Sequence, residues 1–132
     1  MGYYMTIDIE NCVIPKENVS AAAKALNKLI SKLGIKLKDN SRLRLLMGTG
    51  EVENFLDNLL YDANEDDEGN IIITQYTGEK SWEEEKVWKT LAPFLDQSLD
   101  PCVTCHGEEG HSWRYKFPNG KLKELTAVVT WE

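Results

Sequence analysis

The pattern of apolar and polar positions divides the chain into strands near its two ends and helices between them. From Tyr3 to Ile9 the odd positions Tyr3, Met5, Ile7 and Ile9 are apolar while Thr6 and Asp8 are not, which predicts a first strand with one face on a core. Pro15 ends it. Val19, Ala22, Ala23, Leu26, Leu29, Ile30 and Leu33 then recur at helical spacing, predicting a helix over 16–33 with Gly34 as its stop. Glu51 to about Asp62 predicts a second amphipathic helix, burying Val52, Phe55, Leu56, Leu59 and Leu60. The run Asn64 to Asn70 is polar throughout and predicts a loop, after which the β-branched stretch Ile71–Tyr76 predicts a central strand. A third helix is signalled by the capping box Ser81-Trp82-Glu83-Glu84, with Ser81 as cap; it buries Val87, Trp88, Leu91 and Leu95 and is broken by Pro93. Residues 35–50 stay open: Ile35-Lys36-Leu37-Lys38 has the pattern of a short strand, and Leu43–Met47 fits a strand or a buried turn of helix equally well.

Cys102 to Glu132 predicts a three-strand meander on which the helices settle. In 111–117 the odd positions Trp113, Tyr115 and Phe117 form an aromatic face, and Phe117-Pro118-Asn119-Gly120 has the chemistry of a tight hairpin loop. Pairing Phe117 with Lys121 sets Tyr115 opposite Lys123 and Trp113 opposite Leu125, so that Leu125, Ala127, Val129 and Trp131 join that face. A turn at 107–110 pairs His106 with His111 and Cys102 with Tyr115, placing Cys102 toward the core and Cys105 away from it.

At 132 residues the chain is long enough for one domain with a core of its own. No run of about 18 apolar residues predicts a membrane span, and the start has no secretory pattern. Three cysteines without such a pattern point to reduced thiols in a cytoplasm. The net charge of −7 is unevenly spread: residues 1–50 carry +4, 51–110 carry −13 and 111–132 carry +2. That disfavours nucleic acid as a partner, although Lys24, Lys28 and Lys32 form a basic stripe on the first helix. An acidic middle either serves solubility or docks on a basic protein, and the runs Glu65, Asp66, Asp67, Glu68 and Glu83, Glu84, Glu85 are the candidate contacts.

Catalytic signatures are absent. Gly48-Thr49-Gly50 precedes a helix but lacks the Lys of a phosphate-binding loop, so Thr49 or Gly50 reads as a cap. The acids of 64–70 lack the spacing of a calcium loop. Cys102-Val103-Thr104-Cys105-His106 matches the attachment signature of c-type haem, but it falls in a strand rather than opening a helix, so no haem is expected. Cys102, Cys105, His106 and His111 together supply zinc-ligand chemistry, against which stands the alternation of faces along a strand.

Tyr76-Thr77-Gly78-Glu79-Lys80, Leu91-Ala92-Pro93-Phe94 and Gly107-Glu108-Glu109-Gly110 followed by Trp113-Arg114-Tyr115-Lys116-Phe117 together resemble a group of small uncharacterised α+β proteins of bacterial and phage genomes. The resemblance covers about half of the chain. It implies a phage or mobile-element setting and transfers no activity.

The sequence thus predicts a single α+β domain over 1–132. An antiparallel sheet of four to five strands (3–10, 71–76, 101–106, 111–117 and 122–131) carries two to three helices on one face. The functional expectation is a non-enzymatic module binding an unidentified basic protein through its acidic middle, without cofactor. A small metal-binding protein using the Cys/His group is the alternative.

Overall fold

The computed structural model describes residues 5–37, 51–78, 83–107 and 112–126. The fold is α+β; the described residues form three helices and two antiparallel sheets of four and three strands. Strand β1 (Met5–Glu10) turns at Asn11, which adopts a left-handed φ of 56°, and continues as the short β2 (Val13–Ile14). This kink carries one extended segment from the edge of the first sheet into the second. The four-stranded sheet has the order β1-β5-β6-β7, where β5 is Cys102–Gly107, β6 Ser112–Lys116 and β7 Lys123–Thr126. The three-stranded sheet has the order β2-β4-β3, with β3 at Tyr61–Glu65 and β4 at Ile71–Tyr76. Ile71–Tyr76 is therefore central as expected, but in the second sheet rather than alongside the meander. The two sheets stay in touch, since β1 packs against β4 and the Ile73 N–H donates to the Cys12 carbonyl at 3.0 Å.

Helix α1 runs Lys16–Leu33, the bounds that the apolar spacing predicts. Gly34 closes it with φ 71°, and the Ile35 N–H reaches back to the Ile30 carbonyl at 3.1 Å, which satisfies carbonyls that a helix end otherwise leaves unpaired. Pro15, at its other end, offers no side-chain cap; the Asn70 side-chain oxygen accepts from the Lys16 N–H at 2.9 Å instead. Helices α2 (Glu51–Asn58) and α3 (Glu84–Leu91) both pack on α1. The expected helix to Asp62 stops four residues early: Leu60 takes a left-handed φ of 72°, and Tyr61–Glu65 becomes β3, held by pairing with β4 across a bulge at Asp62/Ala63. The α3 cap position is Glu83 and not Ser81, which lies outside the described residues, as do Trp82 and the Gly48-Thr49-Gly50 segment. A short 3-10 turn at Ala92–Phe94 follows α3 where Pro93 was expected to end it.

The meander forms, but both of its predicted registers are displaced by one residue. Across β5 and β6, Cys105 pairs with Trp113, Val103 with Tyr115 and Cys102 with Lys116. Across β6 and β7, Tyr115 pairs with Glu124 and Arg114 with Leu125. A one-residue slip exchanges the two faces. Cys105, expected to be partly covered and away from the core, is fully buried on the core face beside Ile7, whereas Cys102 lies on the opposite face next to Lys116. Leu125 leaves the aromatic face and is 37% exposed. For β6 and β7 the physical reason lies in the loop: Asn119 as well as Gly120 adopts positive φ, 55° and 73°, so the chain turns through a 3-10 turn at Pro118–Gly120 and first pairs again at Lys116 with Lys123. Ala127, Val129 and Trp131 lie outside the described residues.

One apolar cluster joins both sheets and the three described helices. Trp88 stands at its centre, fully buried, with its ring edge-on to Tyr61 at 5.5 Å and tilted against Phe117 at 6.0 Å. Its indole N–H donates to the Tyr61 hydroxyl at 3.0 Å. The Tyr61 ring in turn lies tilted against Tyr76 at 5.0 Å. Replacing Tyr61 by Phe removes only the acceptor and strands a buried donor, so a loss of about 1–3 kcal/mol is expected in a urea titration. A change under about 0.3 kcal/mol would mean that the indole N–H finds another partner.

Candidate functional site

The described acids of residues 51–85 take three distinct positions. In α2, Glu53 and Asp57 are four residues apart and so share a face. Strand β3 returns antiparallel to β4 and brings Asp62 to the same side. Glu53, Asp57 and Asp62, together with Asn54, Tyr61 and Ala63, line a hollow of about 280 Å³. Glu53 also borders a second hollow of about 460 Å³, where Glu51 and Glu65 face Lys16 and Lys24. The shared Glu53 makes the two hollows neighbours. The negative surface therefore runs over α2 and β3 and is partly compensated at the α1 side, where one lysine of the basic stripe stands.

The run Glu65, Asp66, Asp67, Glu68 has a different occupation. The Asp66 carboxylate accepts from the backbone N–H groups of Glu68 and Asn70, both at 2.9 Å, and from the Asn70 side chain at 3.1 Å. These hydrogen bonds from Asn70, joined by those from Glu68 and Gly69, hold its carboxyl below the usual carboxylate range. Asp66 thus shapes the turn that sets Asn70 over the start of α1. Asp67 and Glu68 remain exposed at the tip, near the positive end of the α1 dipole.

At the start of α3, Glu83 has a left-handed φ of 53° and pairs with Lys86 at 2.8 Å, while Glu85 is exposed. Glu84 is half-buried, and its charge acts inward. Burial first, then the Glu84 carboxylate, pushes the Tyr76 hydroxyl and the Cys105 thiol up, Cys105 to about 12. Tyr61 and Tyr115 are also raised, chiefly by burial. Cys12 is raised to about 12 by burial, its thiol resting against the Glu10 and Cys102 carbonyls. Such thiols are poor nucleophiles near neutral pH.

The Cys/His group is spread by the sheet. Cys105 points into the core; Cys102 and His106 occupy the other face, where Cys102 lies beside Thr104. His106, expected opposite His111, instead pairs with Ser112. One imidazole nitrogen contacts the Asp8 carboxylate at 2.9 Å and the other the Ser112 hydroxyl at 3.2 Å, so both ring nitrogens are engaged. His111 lies outside the described residues. Among the described residues, no three His, Cys, Asp or Glu side chains gather with metal-binding geometry, and no helix is long and apolar enough to cross a membrane.

Sequence reasoning singled out consecutive acids and so missed Glu53, Asp57 and Asp62. The readable signal was the four-residue spacing of Glu53 and Asp57 on the polar face of a helix; the contribution of Asp62 depended on a strand that its residues do not announce. The chain matches no protein-family model, and no curated protein or solved structure gives a significant match.

Proposed function

We propose that this protein is a non-enzymatic binding module that engages a basic protein partner through the surface formed by α2 and β3. The observation that carries this reading is the convergence of three carboxylates, Glu53, Asp57 and Asp62, on one hollow between α2 and β3. Carboxylates held on a packed helix and strand are placed at fixed separations, so they can select a pattern of Lys and Arg rather than only keep the chain soluble. Glu85 and the exposed Asp67 and Glu68 extend the negative field that draws such a partner in, while Asp66 shapes its own turn. In the same proposal the module works in a reducing cytoplasm, which suits three free buried thiols, and is carried by a phage or mobile element.

Binding through exposed charges has to weaken with salt, because the screening length falls from about 10 Å at 0.1 M to about 3 Å at 1 M. A partner isolated on the immobilised protein, then purified, is expected to show a dissociation constant that rises steeply over that range. Affinity indifferent to salt, or no partner isolated at low salt, would overturn the proposal.

A further inference from the structure

Away from the acidic surface, the outward face of the four-stranded sheet holds a second feature. Lys116 and Lys123 stand directly opposite each other across β6 and β7. Like charges in that position repel and cost stability, and the fold compensates only one of them: Asp100 meets the Lys116 ammonium at 3.0 Å, while no described carboxylate pairs with Lys123. The two lysines edge a cavity of about 350 Å³ whose other walls are the apolar Pro101, Phe117, Pro118 and Leu125 and the polar Gln97 and Asp100. Leu125 is one of two large apolar side chains left exposed among the described residues, a consequence of the β7 register.

We propose that this cavity binds a small carboxylate with an apolar body, a ligand of aryl-acetate or short fatty-acid type. Opposed side chains on neighbouring strands have Cβ atoms about 5 Å apart, so the two oxygens of one carboxylate can reach both ammonium groups. The volume lies near the lower end of the range for small-molecule sites, roughly 300–1,000 Å³, and suits a single ring or short chain. The apolar body lies against the prolines, Phe117 and Leu125, and its burial covers the surface that the β7 register exposes. Asp100 acts as the resident rival: its carboxylate already occupies Lys116 from an exposed turn where its own φ is 52°. Asn tolerates that left-handed conformation as well as Asp does, so Asp100→Asn removes the rival without disturbing the turn.

The test is an NMR titration of the full chain with phenylacetate and, as the neutral twin, phenylacetamide. Phenylacetate is expected to shift the signals of Phe117, Lys123 and Leu125. The amide should bind about tenfold more weakly, Lys123→Gln should lose a similar factor, and Asp100→Asn should gain severalfold, as charge-assisted hydrogen bonds of this kind imply. Equal binding of acid and amide would reduce the feature to an apolar cleft and overturn the proposal. So would shifts centred elsewhere, or no shifts in both the wild-type and Asp100→Asn proteins.

Discussion

Replacing Trp88 by alanine is expected to lower the stability of the fold by about 3–5 kcal/mol, the usual cost of truncating a large buried aromatic. Trp88 is fully buried where α3, the β3–β4 pair and the end of β6 meet, through Tyr61 and Phe117. Its loss opens a cavity between elements that share little else and leaves the Tyr61 hydroxyl without its donor. Total stabilities of single domains are about 5–15 kcal/mol, so the variant should stand near the edge of folding. A urea titration followed by circular dichroism reads the effect as a midpoint shift. Trp88→Phe should retain most of the packing and lose distinctly less. A Trp88→Ala loss below about 1 kcal/mol would show that the aromatic centre is not what joins helix to sheets.

The thiols provide the second large effect. With Cys12 and Cys105 raised to about 12 by burial, their thiolate fraction at neutral pH is far below that of an ordinary thiol, by a factor of about 10³. Ellman's reagent should therefore titrate these two cysteines slowly in the native protein and rapidly in urea. The same shift fixes the pH dependence of stability. A group that ionises to an anion and has a raised folded pKa favours the protonated native state. Its contribution is fully present below the unfolded thiol value near 9 and is lost as pH rises toward about 12. Tyr61 and Tyr115, raised by burial as well, act in the same direction. The urea midpoint should thus fall steadily above about pH 9. A midpoint flat to pH 11, or fast native labelling of Cys105, would contradict its placement in the core.

Where local pattern and tertiary demand coincide, the sequence could be read directly. Helix α1 has a complete apolar stripe and a glycine stop, and both of its ends fall where expected. The β5–β6–β7 order was legible for a similar reason: alternation and turn residues lie close together in the chain. Register was not: between β6 and β7 it depended on Asn119 joining Gly120 at positive φ, which decided the face that Leu125 would take, and between β5 and β6 a separate one-residue shift set Cys105 on the core face. Strand β3 was illegible for another reason. Tyr61-Asp62-Ala63-Asn64-Glu65 is poor in strand formers, and the segment is extended because β4 offers an edge to pair with. The division into two sheets rests on Asn11, a residue type that merely permits a left-handed kink. Of the candidate surface, total charge was visible and arrangement was not, since the α2 and β3 acids come together only after that strand has formed.

The direct test of the proposed binding surface is the affinity of the purified partner for two triple variants of equal net charge. One is Glu53→Gln, Asp57→Asn and Asp62→Asn; the other is Glu10→Gln, Glu17→Gln and Glu124→Gln, at exposed positions elsewhere. The first should bind at least about tenfold more weakly than wild type and the second within about threefold, because close charge pairs dominate over the distant field at moderate salt. Equal loss in both would mean that net charge alone attracts the partner, and unchanged binding by the first would place the interface elsewhere on the molecule.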